Sequence, residues 1–366
     1  MVDQNETPTT RYLLSQIYFY LTSDCNLRCR HCWISPDYHG SETSRAALPL
    51  DLFKSIVAEA RPLGLRGVKL TGGEPLYHPD ILKILDFINE QGLGLNIESN
   101  GVLCTPEIAK KVASHKGAFM SVSLDGADAR AHEWVRGVDG CFDDAVQGIK
   151  NLVAAGLRPQ VVMTLMRHNK DQIDELVLLA AKLGACSVKF NLVMPTQRGL
   201  QMHEKGETVS FEEIVEIGKR VEGTRFPIPV HFSHPPAFRP MSRILGNGGG
   251  GCAVCGILNI LGVLADGSYA LCGIGESIPE LIFGKAGVDP LKDVWEKSPS
   301  LLELRRGLPS RLEGICGDCL LKNMCMGSCV AQNYYRKRSL WSPFWYCEEA
   351  RMRDMFPPTR MYTKGL

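Results

Sequence analysis

The chain has 366 residues, of which 45% are hydrophobic and 22% charged, so it can bury the core of one large or two medium domains. Its 41 lysines and arginines almost balance 40 acidic residues, and the formal charge of +1 offers no basic field to nucleic acid. No apolar stretch approaches the roughly 18 residues that span a bilayer, and the polar start lacks a signal core, so we expect a cytoplasmic protein with no membrane partner.

Short apolar runs rich in β-forming residues recur along the first half of the chain and predict buried strands. They cover residues 17–21, 67–70, 93–98, 119–124, 161–166 and 188–193. Segments with helical spacing of apolar residues separate them, at 52–60, 81–88, 146–153 and 173–179. Such alternation with right-handed crossovers predicts an α/β fold, a partial TIM-like (β/α)6 barrel of parallel strands. We place this barrel at 17–220, after an N-terminal tail at 1–16.

Polar motifs follow the first four predicted strands directly. Because the carboxyl ends of parallel strands meet at one rim, these motifs should converge on a single site. In chain order they are Cys25, then Gly72-Gly73-Glu74, then Ser99-Asn100-Gly101, then Asp125-Gly126.

The pattern changes after the barrel. A helical stretch at 211–221 leads into a proline-rich segment at 227–240 and a glycine run at 248–251, so we predict a linker at 221–251. Residues 263–272 read as a hairpin, because Asp266-Gly267 is a strong tight-turn signal between apolar flanks. A second, cysteine-rich domain is expected at 252–350, followed by a C-terminal tail at 351–366.

Fourteen cysteines are well above ordinary usage, and in a reducing compartment grouped cysteines are more often metal ligands than disulfides. Three lie within the loop after the first predicted strand, and eight crowd the final third of the chain. Two metal-binding regions are therefore predicted. The remaining three fit no spacing pattern and are assigned no role: Cys104, Cys141 and Cys186.

The first cysteine group, Cys25, Cys29 and Cys32, offers three thiolates with gaps of three and two residues. Structural zinc prefers four nitrogen or sulfur ligands, whereas a cubane held by three thiolates keeps one iron open for a substrate or cofactor. The group therefore favours an iron-sulfur cluster with a chemical role. A zinc site that uses His31 as the fourth ligand is the alternative.

This cysteine spacing after the first barrel strand resembles that of the radical S-adenosylmethionine (SAM) superfamily. The stretch Thr71-Gly72-Gly73-Glu74-Pro75 resembles the family's GGE motif, whose glutamate meets the methionine ammonium. The resemblance implies a 4Fe-4S cluster on the three cysteines and no catalytic side chain beyond the cluster and SAM. The SAM contacts that it implies are His31, Gly72, Gly73, Glu74, Ser99, Asn100, Ser123, Asp125 and Arg136. For the polar residues among them, the capping of a strand or helix is the alternative.

The C-terminal cysteines resemble the SPASM domain, an extension found on peptide-modifying radical SAM enzymes. The resemblance implies two further 4Fe-4S clusters, three in all. The first would be held by Cys252, Cys255, Cys272 and Cys329. The second would be held by Cys316, Cys319, Cys325 and Cys347. If Cys252 is not a ligand, the first of these two clusters keeps one iron open. A pair of zinc ribbons is the other alternative. The segments 16–22 and 29–33 also resemble the SynChlorMet-cassette SPASM proteins.

The resemblance implies an enzyme that cleaves SAM reductively and abstracts hydrogen from a ribosomally made peptide, forming a carbon-carbon or thioether crosslink. Maturation of a cofactor such as a tetrapyrrole is the main alternative. Sulfatase maturation is less favoured, because Gly273 stands where sulfatase-maturing relatives have an aspartate base. Epimerisation lacks an identifiable hydrogen-donor cysteine, and a non-catalytic zinc-binding scaffold is the remaining possibility.

Partners follow from the same resemblance. We expect a peptide substrate, with or without a leader, and a reductant such as flavodoxin or ferredoxin. The chain before the first predicted strand is too short for the peptide-recognition domain that many relatives carry there. We therefore expect a separate small protein, or the barrel itself, to recognise a leader peptide.

Overall fold

The structure is a computed structural model that describes residues 12–38, 47–245 and 256–362. Its strands are β1 (Gln16–Tyr20), β2 (Asp24–Cys25), β3 (Asp37–Tyr38), β4 (Gly67–Thr71), β5 (Gly94–Ser99), β6 (Phe119–Ser123), β7 (Gln160–Leu165), β8 (Ser187–Leu192), β9 (Val230–Phe232), β10 (Ile260–Val263), β11 (Ser268–Ala270) and β12 (Ile282–Lys285).

In the described chain the helices are α1 (Leu50–Ala60), α2 (Ile81–Glu90), α3 (Pro106–Ser114), α4 (Ala129–Arg136), α5 (Cys141–Ala154), α6 (Ile173–Lys182), α7 (Gln197–Glu204), α8 (Phe211–Gly223), α9 (Met241–Leu245), α10 (Leu291–Lys297), α11 (Pro299–Gly307), α12 (Gly314–Gly317), α13 (Lys322–Cys325), α14 (Val330–Lys337) and α15 (Trp345–Met352). Short 3-10 turns lie at Arg61–Leu63, Pro75–Tyr77, Lys170–Gln172, Pro236–Phe238, Gly273–Ser277, Pro279–Leu281 and Pro358–Arg360. No helix in these described ranges has both the length and the apolar character needed to cross a bilayer.

One sheet organises the molecule, in the order β12-β11-β10-β1-β4-β5-β6-β7-β8-β9. Pairing is parallel from β10 through β1 and on to β9, and antiparallel in the meander of β10, β11 and β12. The six predicted strands all form, with helices between them. The predicted partial α/β barrel is therefore confirmed.

Two features lie beyond the sequence prediction. The proline-rich segment that we assigned to the linker contains β9, which extends the parallel sheet next to β8. The predicted hairpin forms as β10 and β11, but β10 also pairs in parallel with β1, with Gln16 opposite Ile260. The barrel sheet therefore continues across the predicted boundary into the C-terminal region.

Alternation along the strands separates two environments. Val188 and Phe190 of β8 point outward into the main hydrophobic core and are fully buried, while Ser187, Lys189 and Asn191 point the other way. Burying each large outward side chain contributes about 1.5–3 kcal/mol, so the outer face against the helices holds the barrel together. The inward faces are mostly polar and are left for the site.

Helix α11 packs tightly against the C-terminal region at its last residue. A methyl group placed on Gly307 would lie 2.0 Å from Cη2 of Trp341, whose ring is buried. The guanidinium of Arg311 also packs on the Trp341 ring, 4.2 Å from its centroid. The ring therefore has little freedom to move away.

We expect Gly307→Ala to destabilise the protein by about 1–3 kcal/mol, because the added methyl overpacks the Trp341 ring. Gly223→Ala is the matched control, since Gly223 also ends a helix and a methyl there would meet no atom of the described residues within 4 Å. Urea unfolding followed by circular dichroism measures both. Equal midpoints for the two variants would contradict the proposed contact.

Candidate active site

The first cysteine group lies on the loop that follows β1. Cys25 and Cys29 are buried and Cys32 is half-buried. Two backbone hydrogen bonds tie this loop to α4, from the Arg28 N–H to the Arg136 carbonyl and from the Arg30 N–H to the Val135 carbonyl, both 2.9 Å. The loop is therefore fixed to the barrel, with its three thiols beside one cavity.

Burial dominates the electrostatics of these thiols. Burial, and after it the neighbouring Cys29, raise the pKa of Cys25 and raise the pKa of Cys32 to about 11. One cation lies beside these thiols: Nη1 of Arg136 donates to the Cys29 sulfur over 3.5 Å. Buried thiols of this kind lose their protons readily only when a positive charge lies between them. A bound metal supplies that charge.

The glycine motif after β4 packs directly on the cysteine loop. The Gly73 N–H donates to the Thr22 carbonyl over 2.8 Å, and the Glu74 N–H donates to the Asp24 carbonyl over 2.9 Å. A Cβ on Gly73 would lie 2.0 Å from the Asp24 oxygen, and Gly72 has a φ of 132°. Both glycines are needed for this backbone approach between the two loops.

Glu74 is the centre of a buried hydrogen-bond network. Its carboxylate accepts from the Ser99 hydroxyl and the Asn100 N–H, both over 2.8 Å, and from the Leu76 N–H over 3.0 Å. Burial raises the pKa of Glu74, although these bonds oppose the rise. The Asn100 amide in turn donates to Asn26 on the cysteine loop over 2.7 Å. The structure therefore brings the predicted residues of β4 and β5 together around the cysteines.

Asp125 and Arg136 form a buried ion pair of 2.7 Å, and the Thr164 N–H donates to the same carboxylate over 2.7 Å. Burial raises the pKa of Asp125, but Arg136, His31 and this hydrogen bond outweigh it and the pKa is lowered. His31 Nε2 lies 3.9 Å from Asp125, and burial lowers the pKa of His31 to about 4. His31 is therefore a neutral ring at neutral pH.

A cavity of about 810 Å³ extends from the cysteine loop into the barrel. Its wall contains the three cysteines and, of the predicted SAM contacts, His31, Gly72, Gly73, Glu74, Ser99, Asn100, Ser123 and Arg136. Asp125 stands just behind it, held by Arg136. The predicted residues of four strand ends therefore surround one space.

Sequence reasoning missed the deeper wall of this cavity. Inward residues of β6 to β9 line it, together with Arg239 beyond β9 and with Gln332 and Trp345 from the C-terminal region. The signal was present in β8, where Ser187, Lys189 and Asn191 alternate with apolar residues. The apolar residues at 188–193, taken alone, predict a fully buried strand and conceal this alternation.

The four cysteines predicted to hold the second of the two C-terminal clusters, here called the second auxiliary set, lie close together. All four of its members line one small apolar cavity: Cys316, Cys319, Cys325 and Cys347. Cys316 and Cys347 are hydrogen-bonded to each other, and burial raises the pKa of Cys325 to about 12. Backbone N–H groups donate to two sulfurs, from Leu321 to Cys319 over 3.4 Å and from Phe344 to Cys316 over 3.3 Å. Hydrogen bonds of this kind are what tunes a bound iron-sulfur cluster.

The first auxiliary set, predicted as Cys252, Cys255, Cys272 and Cys329, is described only in part. Cys252 and Cys255 lie outside the described residues. Cys272 follows β11 and lies close to the buried ring of Tyr20, and Cys329 caps α14 and lines the large cavity.

No three histidine, cysteine or carboxylate side chains in the described part of the chain gather as ligands of one metal ion would. A cubane takes each thiolate on a different iron, so its ligands surround a volume and do not converge on a point. Four thiols around one apolar cavity, and three beside a larger one, fit such a group.

Comparison with known proteins agrees with this geometry. The family model described as the radical SAM superfamily matches residues 19–180. The AdoMet-dependent heme synthase of Methanosarcina barkeri is 29% identical and aligns over 87% of this chain and 91% of its own. The mycofactocin maturase MftC of Mycobacterium tuberculosis is 28% identical over 94% of this chain and 87% of its own.

Among solved structures, Streptococcus suis SuiB bound to precursor peptide SuiA superposes with a TM-score of 0.69 at 17% identity, covering 92% of this chain and 76% of that one. The shared fold thus extends past the barrel through the cysteine-rich region. A radical SAM domain implies a 4Fe-4S cluster and S-adenosylmethionine. With its cysteine loop on the first strand of a partial barrel, the chain carries a radical SAM domain, matched over residues 19–180.

Proposed function

We propose that this enzyme modifies a ribosomally made peptide by forming a carbon-carbon or thioether crosslink. The observation that carries the proposal is the cavity of about 810 Å³, which joins the three-cysteine loop to a polar barrel interior large enough for a peptide side chain. The likeness to the maturase MftC over 94% of the chain supports a peptide substrate. So does the fold shared with SuiB, whose structure holds a precursor peptide.

Cys25, Cys29 and Cys32 would hold the 4Fe-4S cluster in this proposal, since they share one anchored loop at the cavity rim. Bound there, the cluster would supply the electron for reductive cleavage of SAM, the chemistry that gives a 5'-deoxyadenosyl radical able to abstract hydrogen from a substrate. The neutral ring of His31 can stack on the adenine, because its lowered pKa leaves it uncharged. Arg136, which donates to the Cys29 sulfur, would help to hold the thiolate form of Cys29.

Two auxiliary clusters complete the proposal. The four cysteines around the small apolar cavity would hold one of them with every iron ligated. Cys272 and Cys329, with the two cysteines outside the described residues, would hold the other. Cys329 lines the large cavity, so the cluster held by Cys272 and Cys329 would lie near the bound substrate. A role in electron transfer from the substrate follows from that position.

The space beside Gly273 supports crosslinking over sulfatase maturation. A Cβ at Gly273 would lie 2.1 Å from Cε1 of Tyr20, and the Tyr20 hydroxyl is hydrogen-bonded to the Gly273 backbone. Burial raises the pKa of Tyr20, so the phenol stays neutral and does not replace the missing carboxylate. No dedicated base stands at this position.

Maturation of a tetrapyrrole cofactor is the second candidate. It is favoured by the 29% identity to the AdoMet-dependent heme synthase of Methanosarcina barkeri, which extends over 91% of that protein. A precursor-peptide gene beside the gene for this chain would favour the peptide. Increased SAM turnover with a tetrapyrrole alone would favour the cofactor.

The proposal also includes partners. Flavodoxin or ferredoxin would supply the electron, and a separate small protein would present a leader peptide. Tight binding of a precursor peptide by this chain alone would remove the need for the second partner.

We expect anaerobically reconstituted enzyme to contain about twelve irons and to form 5'-deoxyadenosine from SAM with dithionite. The triple variant of Cys25, Cys29 and Cys32 to Ala should contain about eight irons and form none. Cys186→Ala, which removes a cysteine outside all three sets, should match the wild type. Iron analysis and liquid chromatography measure both quantities. Zinc in place of iron, or unchanged cleavage in the triple variant, would sink the proposal.

We expect Gly273→Asp to gain no formylglycine formation on a cysteine-containing sulfatase peptide. The new side chain meets the Tyr20 ring, which should destabilise the protein by about 1–3 kcal/mol. Gly256→Asp is the control, since Gly256 is exposed and, among the described residues, a Cβ there meets only Ile260, at 3.7 Å. Mass spectrometry of the peptide and thermal unfolding report the result. Formylglycine in the Gly273→Asp reaction would show that the site needs only a carboxylate.

A further inference from the structure

We propose that the deep wall of the barrel cavity, at Lys189 and Arg239, binds a carboxylate group of the substrate. The inference rests on the proposed function, because it takes the cavity as the place where the substrate lies. It adds a chemical requirement on that substrate, namely an anionic group that reaches the inward face of β8.

Lys189 occupies the middle of β8, opposite Val162 of β7 on one side and His231 of β9 on the other. Its side chain lines the cavity and is half-buried. Its ammonium forms no hydrogen bond or ion pair within the described ranges, 12–38, 47–245 and 256–362. A cation left in this state inside a protein is unfavourable unless something else neutralises it.

The carboxylates of the cavity wall are already engaged. Among the described lining residues the acidic ones are Glu74 and Glu98. Glu74 accepts its three hydrogen bonds from the protein, as described above. Glu98 is paired with Lys69 at 2.5 Å. Lys189 therefore interacts with Glu98 only at longer range and has no acidic partner of its own in the part of the chain that the structure describes.

A second cation faces the same space. Arg239 lines the cavity. Among the described residues its buried Nε has no hydrogen-bond partner, and its Nη2 makes only a long 3.5 Å bond to the Phe232 carbonyl. Burial lowers the pKa of Lys189, and the charges of Lys69 and Arg239 lower it further against the opposing effect of Glu98. Two cations that repel each other across a cavity define a position where an anion is stabilised by both.

The surrounding wall fits the rest of such a ligand. Ser121, Gln160 and Asn191 provide neutral polar groups near the cations, and Phe119 and Trp345 provide ring surface. A peptide side chain or terminus that ends in a carboxylate and carries an apolar body matches this pattern.

The carboxylate of SAM is a less suitable occupant. SAM must reach the cysteine loop, which follows β1, whereas β8 is separated from β1 by β4, β5, β6 and β7 in the sheet. Arg136, beside the cysteines, is the cation placed for the cofactor end of the cavity. Lys189 and Arg239 are thus left for the substrate.

The test uses 4-fluorophenylacetate and its neutral amide, 4-fluorophenylacetamide, as probes of the oxidised, reconstituted enzyme by fluorine NMR line broadening. The acetate should bind at least about tenfold more tightly than the amide, since each 1.4 kcal/mol of charge interaction is tenfold in affinity. Lys189→Gln and Arg239→Gln should each weaken acetate binding at least about tenfold. Lys189→Arg should retain it, and Lys182→Gln, on the outer surface of α6, should bind as the wild type does.

Saturating SAM should leave the acetate bound; displacement by SAM would assign the cations to the cofactor and overturn the proposal. Equal binding of acetate and amide, no binding of either by the wild type, or unchanged binding in both glutamine variants would overturn it as well. If Lys189→Gln fails to fold, Lys189→Arg and Arg239→Gln still decide the outcome. SAM cleavage by the wild type is measured separately, so that a failed radical reaction and a failed carboxylate site are distinguishable.

Discussion

The contact on which the site depends is the backbone pairing between the cysteine loop and the turn after β4. Two hydrogen bonds, from Gly73 to Thr22 and from Glu74 to Asp24, bring the two loops together. Any Cβ at Gly73 would enter the Asp24 carbonyl, so the pairing requires glycine there. The same turn positions Glu74 to organise Ser99 and Asn100, and Asn100 returns to the cysteine loop. One close approach thus orients the thiols and the polar residues of two strands.

The barrel differs in its interior from a closed eight-stranded one. Closed barrels fill their lumen with layers of apolar side chains, whereas the parallel strands here place polar residues inside and keep the apolar ones for the helices. The core is consequently a shell around a cavity. This arrangement keeps stability in the outer layer and frees the inner surface to vary with the substrate.

The sequence was informative where periodicity or spacing is strong. The strands of the barrel could be predicted because apolar runs of that length between helical segments have few other interpretations. The convergence of Glu74, Ser99 and Asn100 followed from parallel topology. Strand β9 could not be predicted, because three residues between prolines form a strand only when β8 offers an edge. The ion pair between Asp125 and Arg136 depends on the tertiary packing of two elements, which no local sequence pattern encodes.

The pairing of β10 with β1 also bears on how the chain acquires its structure. Gln16 meets Ile260, so the first strand of the barrel reaches its final neighbour only after most of the chain is available. Until then β1 presents an open edge, the kind of surface on which other strands aggregate. Contacts of such sequence separation form slowly because the intervening loop must close first. The C-terminal region therefore covers the edge of the barrel sheet that β1 would otherwise expose.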